Sequence, residues 1–140
     1  MDNNGWISID FIIASVIIIL TIPGIISIVE DRINTVNSFQ EMVEAKLLAE
    51  NIAETIDMVY SGGSGCSIIF KMPPTISNKK YFIKINSSGV YIKLKGKMAY
   101  AYIPNLDISM NENIQSNNTY NISNIQNTSN KNHIIIKRVN

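Results

Sequence analysis

A long apolar run lies near the start of the chain. The nineteen residues 11–29 contain no charged side chain. As an α-helix they would span about 28 Å, close to the roughly 30 Å hydrocarbon core of a bilayer. Because lipid offers no hydrogen-bond partner to the backbone, a spanning segment must satisfy its own backbone groups as a helix. The pattern therefore predicts one transmembrane helix over about 11–29.

After residue 30 the pattern changes to one apolar position in every three or four. This spacing predicts an apolar stripe on one face of an otherwise acidic helix. The glycine-rich stretch 61–65 then favours a helix end, since glycine readily adopts the left-handed conformation of a C-terminal cap. We expect a continuous helix over 6–60, with an amphipathic stalk over 30–60. The stripe consists of Ile33, Val36, Gln40, Val43, Leu47, Ile52, Ile56 and Val59.

Residues 61–140 have the short alternating patterns of β-strands. Two runs, 81–85 and 90–94, flank a turn sequence typical of a hairpin, and further strands are predicted over 67–72, 98–103 and 134–139. The alternation leaves one sheet face for solvent and one for a core. We therefore expect an α+β fold, in which a long transmembrane and amphipathic helix packs on a small antiparallel sheet. The stripe residues expected to be buried there are Val43, Leu47, Ile52 and Ile56.

Asparagine and serine dominate residues 105–132, which contain ten Asn. Such a stretch buries little apolar surface, so we expect a long loop within an extracellular β-rich domain spanning 61–140. The sequence pattern Asn-x-Ser/Thr marks candidate N-glycosylation sites, and their positions in predicted loops suit an outward-facing domain. These candidates are Asn86, Asn117, Asn121 and Asn127.

Charge is unevenly distributed along the chain. Residues 30–60 carry seven acidic and two basic side chains, whereas residues 71–140 carry ten basic and two acidic ones. The sequence leaves open whether the lysines form a solvated face, meet the acidic stalk of a neighbouring subunit, or attract an anionic polymer. Nucleic acid is one such polymer, although no motif in the sequence indicates it. The early strands contribute Lys71, Lys79, Lys80, Lys84, Lys93, Lys95 and Lys97.

Few side chains suggest chemistry. The chain has one cysteine, Cys66, and one histidine, His133, so an intrachain disulfide is impossible and a zinc site would lack ligands. We see no carboxylate pair or nucleophile triad around a credible pocket. We therefore expect no enzyme activity, no cofactor and no metal.

An acidic residue stands at the mouth of the apolar run. Asp10 is the fifth residue after Gly5, and the uncharged run follows it immediately. A carboxylate is costly within a bilayer, by about 2.5–3.5 kcal/mol on insertion scales at the centre. If the chain were cut after Gly5, Trp6 would acquire a positive α-amine, and this amine could neutralise Asp10 of a neighbouring subunit. The alternative is an interfacial aspartate solvated by lipid headgroups.

These features resemble type IV pilins, especially archaeal pilin-like proteins with class III signal peptides. The resemblance rests on Gly5, the segment 6–10 ending in Asp10, the apolar run, the long helix and the glycine-rich exit into strands, and it covers residues 1 to about 70. It implies a leader of residues 1–5, cleaved between Gly5 and Trp6 by a prepilin-type peptidase. It also implies that Asp10 acts in assembly and that the helices pack together in a filament.

The favoured interpretation is a structural subunit, major or minor, of a type IV pilus-like surface filament. Its partners would be the membrane, the peptidase and other pilin subunits, and its C-terminal domain would be extracellular. The alternative is a signal-anchored, single-pass membrane protein with an uncut N-terminus that displays an extracellular binding domain. Cleavage after Gly5 and assembly with other subunits distinguish the two.

Overall fold

A computed structural model describes residues 9–104, 107–110, 114–126 and 131–139. Within these ranges one long helix, α1 (Ile9–Ser61), is followed by seven strands. The predicted order, a long N-terminal helix followed by β-structure, is confirmed, and so is the α+β fold class. By its contacts the chain divides into two compact units, residues 1–39 and 40–140. The first unit contains the N-terminal part of α1. The second contains the rest of α1 and every described strand.

The strands form two sheets. They are β1 (Ser67–Lys71), β2 (Phe82–Asn86), β3 (Gly89–Leu94), β4 (Lys97–Tyr102), β5 (Ile108–Met110), β6 (Thr119–Gln126) and β7 (Asn132–Val139). The smaller sheet is an antiparallel meander in the order β2-β3-β4, and the larger has the order β1-β6-β7-β5. All pairs are antiparallel except β5 with β7, which is parallel.

Local chemistry explains the two turns of the meander. In the first, the side-chain oxygen of Asn86 accepts hydrogen bonds from the backbone N–H groups of Ser88 and Gly89, both at 3.0 Å. In the second, Lys95 and Gly96 both have positive φ, at 49° and 81°. Tight hairpins with two such residues match the right-handed twist of the strands they join. The predicted hairpin over 81–94 is confirmed.

The helix face that packs in the second unit is rich in alanine. Ala45, Ala49, Ile52, Ile56 and Val59 are fully buried in one hydrophobic cluster that also contains residues of both sheets. The prediction was correct for Ile52 and Ile56. It was wrong for Val43 and Leu47, which are 40% and 52% exposed. At 100° per residue these two lie on the face opposite Ala45 and Ala49, and the small alanines allow close approach of neighbouring backbones.

The prediction of a continuous loop over 105–132 was also wrong, because the whole of β5 and the whole of β6 fall within it. Strand β6 alternates buried residues (Tyr120, Ile122, Asn124) with polar residues of intermediate exposure. Its polar composition therefore reflects its outward face and one buried amide. Backbone pairing with β1 on one side and β7 on the other holds the strand in the sheet.

Candidate functional site

The first unit presents an apolar helical surface. Large apolar residues from Phe11 to Val29 are exposed, and the most apolar window of the helix has no buried residue. The hydroxyls of Ser15 and Thr21 donate to backbone carbonyls of the same helix, those of Phe11 and Ile18, at 2.7 and 3.1 Å. Because these polar groups are satisfied locally, they offer little obstacle to insertion in lipid. The helix is long and apolar enough to cross a membrane.

Asp10 lies in the first turn of α1. A carboxylate there is favoured by the partial positive charge of the helix N-terminus. Gly5 and Trp6, the residues expected to flank a leader cleavage site, lie outside the described residues. The structure therefore places the candidate assembly residue and leaves cleavage as a prediction.

The meander presents a second candidate surface, the outer sheet face, on the side of the sheet away from the core. Strand register places Phe82, Lys93 and Met98 in one cross-strand row, and Lys84, Tyr91 and Tyr100 in the next. Phe82 is 74% and Met98 60% exposed. The third row is formed by Asn86, Gly89 and Tyr102.

Aromatic packing shapes the middle of this face. The rings of Tyr91 and Tyr100 are 4.8 Å apart and tilted by 41°. The Tyr100 hydroxyl donates a hydrogen bond to the backbone oxygen of Ser88 at 2.9 Å, and desolvation raises the pKa of Tyr100 above its ordinary value. A shallow depression of about 360 Å³ lies beside this pair and is lined by Phe82, Lys84, Tyr91, Lys93 and Met98. The face thus combines exposed apolar groups with two cations.

A third candidate surface, the outer helix face, consists of Val43, Leu47, Glu50, Glu54 and Met58. These residues fall within one side of the helix at 100° per residue, and all five are exposed. Glu50 pairs with Lys46 at 3.2 Å, but both side chains are about half exposed, so this pair contributes little to stability. The face combines apolar groups with negative charge.

Several charged groups pair within the chain. Lys79 forms an ion pair with Glu41, and Lys95 lies 3.9 Å from the same carboxylate. The hydrogen bond from Lys79 lowers the pKa of Glu41, and the same contact raises the pKa of Lys79. A hydrogen bond from the Ser77 hydroxyl, at 2.5 Å, lowers the pKa of Glu44. Basic residues between the strands and acidic helix residues therefore pair within the same chain.

The structure separates the predicted sequons by accessibility. Asn117 is exposed in a turn with φ of 64°. Asn86 is exposed, although its side-chain oxygen is engaged in the hairpin turn. Asn121 lies in the middle of β6, half-buried and paired on both sides. Asn127 lies outside the described residues. By accessibility, Asn117 is the best of the three described acceptors.

The two residues considered for chemistry have structural surroundings. Cys66 is half-buried against the helix exit, where a Cβ added to Gly62 would lie 2.7 Å from the Cys66 sulfur. The Nδ1 atom of His133 lies 2.9 Å from a carboxylate oxygen of Asp107. Within the described ranges, no cluster of three or more His, Cys, Asp and Glu side chains could hold a metal ion.

Sequence reasoning missed Asn124, which joins the helix end to the larger sheet. Its buried side-chain amide donates to the backbone oxygens of Val59 at 3.3 Å and Tyr60 at 3.2 Å. The last carbonyls of a helix have no partner within it, so this amide satisfies two of them. The backbone of Asn124 also bonds Gly65 and Cys66, both at 2.9 Å. A signal was present in the sequence, since Tyr120, Ile122 and Asn124 have the period-two spacing of residues on one face of a strand.

Comparison of the chain with protein-family models, curated proteins and solved structures finds no match.

Proposed function

We propose that the chain is a structural subunit of a type IV pilus-like surface filament, assembled through its N-terminal helix. The observation that carries the proposal is the division of α1. Its N-terminal part is apolar and exposed, whereas its C-terminal part contributes one face to the core of a folded β-rich unit. This combination suits a subunit whose helix is covered first by lipid and then by the helices of neighbouring subunits.

In this account the leader of residues 1–5 is removed by a prepilin-type peptidase, and the β-rich unit is outside the cell. The carboxylate of Asp10 of one subunit then accepts a hydrogen bond from the positive α-amine of Trp6 of another. The contact would form within the apolar centre of the filament, where a charge pair is screened less than in water. Asp10 would therefore matter more for assembly than for insertion, since its place at the helix start keeps it near the membrane edge.

The test compares Asp10→Asn with Asp31→Asn, which removes a charge from the same helix beyond the apolar run. Membrane content and content of the sheared filament fraction are measured for each by quantitative immunoblot. We expect equal membrane content for both variants. We expect at least about tenfold less Asp10→Asn in filaments, because a hydrogen bond to a charged group contributes about 1.5–3 kcal/mol.

Equal incorporation of Asp10→Asn and wild type would remove the assigned role of Asp10. Wild-type protein that is confined to the membrane fraction, with residues 1–5 intact, would favour the alternative of a signal-anchored binding module.

A further inference from the structure

We propose that the outer sheet face of one copy of this chain binds the outer helix face of a second copy. The inference rests on the proposed function, since a filament supplies the second copy at high local concentration. It goes further by naming which two surfaces of the β-rich unit meet.

The two faces are complementary in chemistry. The sheet face offers exposed Phe82 and Met98 around Lys84 and Lys93, and the helix face offers exposed Val43, Leu47 and Met58 around Glu50 and Glu54. Apolar groups on both sides would leave water. Glu54 would face one lysine of the sheet, and Glu50 would face the other beside its own partner Lys46. Complementary potentials of this kind fix the register of a contact and disfavour wrong partners.

The dimensions also agree. The three cross-strand rows cover five residues of each strand, about 14 Å between the outer rows, and three strands are about 10 Å wide. The outer helix face is about 22 Å long from residue 43 to residue 58, so the sheet face covers about two thirds of its length, and a helix is about 10 Å in diameter. Lys84 and Lys93 are diagonal neighbours on the sheet, about 7–8 Å apart, and Glu50 and Glu54 are separated by about 6 Å along the helix.

The arrangement within the second unit makes this contact intermolecular. The inner face of the meander and the inner face of the helix share one core, so the two outer faces lie on different sides of it, and they adjoin along β4, where Glu50, Glu54 and Tyr102 line one depression. The outer sheet face carries two lysines, and the outer helix face carries two glutamates, of which Glu50 is paired with Lys46, so neither face is complementary to the same face of a second copy. A contact between two different faces is heterologous, and repeated contacts of this kind build open chains.

Nucleic acid is the competing occupant of the sheet face, because aromatic groups with lysines also suit single strands. The face carries only two lysines, however, and the electrostatic part of nucleic-acid affinity grows with the number of phosphates neutralised. The helix face satisfies both the charge and the apolar groups, so we favour the second copy.

Site-directed crosslinking in the full-length chain tests the contact. In a Cys66→Ser background, Leu47→Cys and Tyr91→Cys chains are expressed alone, together, or as one double variant, and filaments and membranes are treated with a short bismaleimide. We expect no dimer from either single variant alone, a dimer from the mixture, and a ladder of multimers from the double variant. Ile69→Cys is the control for Tyr91→Cys, since Ile69 is 68% exposed but lies on the larger sheet.

Charge reversal tests the register in the mixed crosslinking experiment. Lys93→Glu on the Tyr91→Cys chain, or Glu54→Lys on the Leu47→Cys chain, should reduce dimer yield at least fivefold, and both together should restore it. Retention of a single-stranded oligonucleotide is measured in parallel. Unchanged crosslinking with loss of oligonucleotide retention in Lys93→Glu would overturn the inference in favour of nucleic acid.

The two proposals fail in different ways. Filaments that assemble without the mixed crosslink overturn this contact and leave the filament function intact. If wild-type cells form no filaments, the proposed filament function is overturned. Mixed dimers in the membranes of such cells would still support the contact between the two faces, and the absence of these dimers would overturn it.

Discussion

Removal of the Asn124 side-chain amide should destabilise the β-rich unit strongly. Asn124→Ala deletes two hydrogen bonds. The buried backbone oxygen of Val59 loses this donor, whereas that of Tyr60 keeps the backbone N–H of Gly63 at 3.2 Å. An unsatisfied buried polar group costs about 1–3 kcal/mol and the second lost hydrogen bond about 0.5–1.5 kcal/mol, so we expect a loss of about 2–4 kcal/mol in the free energy of unfolding. For a unit of about 100 residues this lowers the melting temperature by roughly 10–30 °C.

The assay is thermal melting of the full-length chain in detergent, followed by near-ultraviolet circular dichroism of tyrosine. All six tyrosines lie between residues 60 and 120, so the signal reports on the second unit. Asn124→Asp keeps the size of the side chain but opposes a carboxylate to two carbonyls, and we expect a still larger loss at pH 7.

Asn121→Ala is the matched control, because Asn121 is on the same strand with its side chain on the other face. Among the described residues, the buried side-chain oxygen of Asn121 has no hydrogen-bond partner, so Asn121→Ala loses no bond at this oxygen, and the free energy of unfolding should fall by no more than about 0.5 kcal/mol. If Asn124→Ala melted within that margin of Asn121→Ala, the assigned link between helix end and sheet would be wrong.

Three further predictions follow from packing and ionisation. Ile52→Ala should lower the free energy of unfolding, measured by thermal melting, by about 2–5 kcal/mol, and Leu47→Ala by less than about 0.5 kcal/mol, because only Ile52 is buried. Equal losses would refute the orientation of the helix. Since Lys79 lowers the pKa of Glu41 below 4.5, this contact should stabilise the unit above pH 4.5 and be lost as the pH falls further. In an acid titration, the free energy of unfolding of Glu41→Gln should therefore decline less steeply than that of the wild type, and parallel curves would contradict this. Gly89→Ala should lower the free energy of unfolding by at least about 1–3 kcal/mol, because the added Cβ would lie 2.4 Å from atoms of the facing strand. A melting temperature equal to that of the wild type would show that the facing strand can shift without cost.

Local patterns predicted the main elements correctly. The uncharged run predicted the apolar helix, and the glycines after Ser61 predicted its end. The turn at 86–89 predicted the first hairpin. Each of these depends on interactions close in sequence: helix periodicity, glycine conformation and an asparagine side chain that bonds its own turn.

The errors arose where tertiary contacts decide. Apolar size suggested that Val43 and Leu47 were buried, whereas the core uses Ala45 and Ala49, whose small side chains look neutral in a hydrophobic pattern. The polar composition of 119–126 suggested a loop, but two neighbouring strands satisfy its backbone. The pairing of Glu41 with Lys79 joins residues 38 apart, and no local rule predicts it.

The same distinction applies to the candidate sites. The sequence placed basic residues on the early strands, but only the register shows that Lys84 and Lys93 share a face with Tyr91. Apolar residues on the stalk were expected to pack within the chain. Their exposure is what makes a second copy a credible partner for that face.

Processing after Gly5 and assembly in a surface filament can be tested together on native material. The most direct measurement is the intact mass of the protein in filaments sheared from native cells, with sequencing of its N-terminus. The account predicts a chain that begins at Trp6 and lacks residues 1–5. A chain in that fraction that still begins at Met1, or its recovery only from membranes, would contradict it.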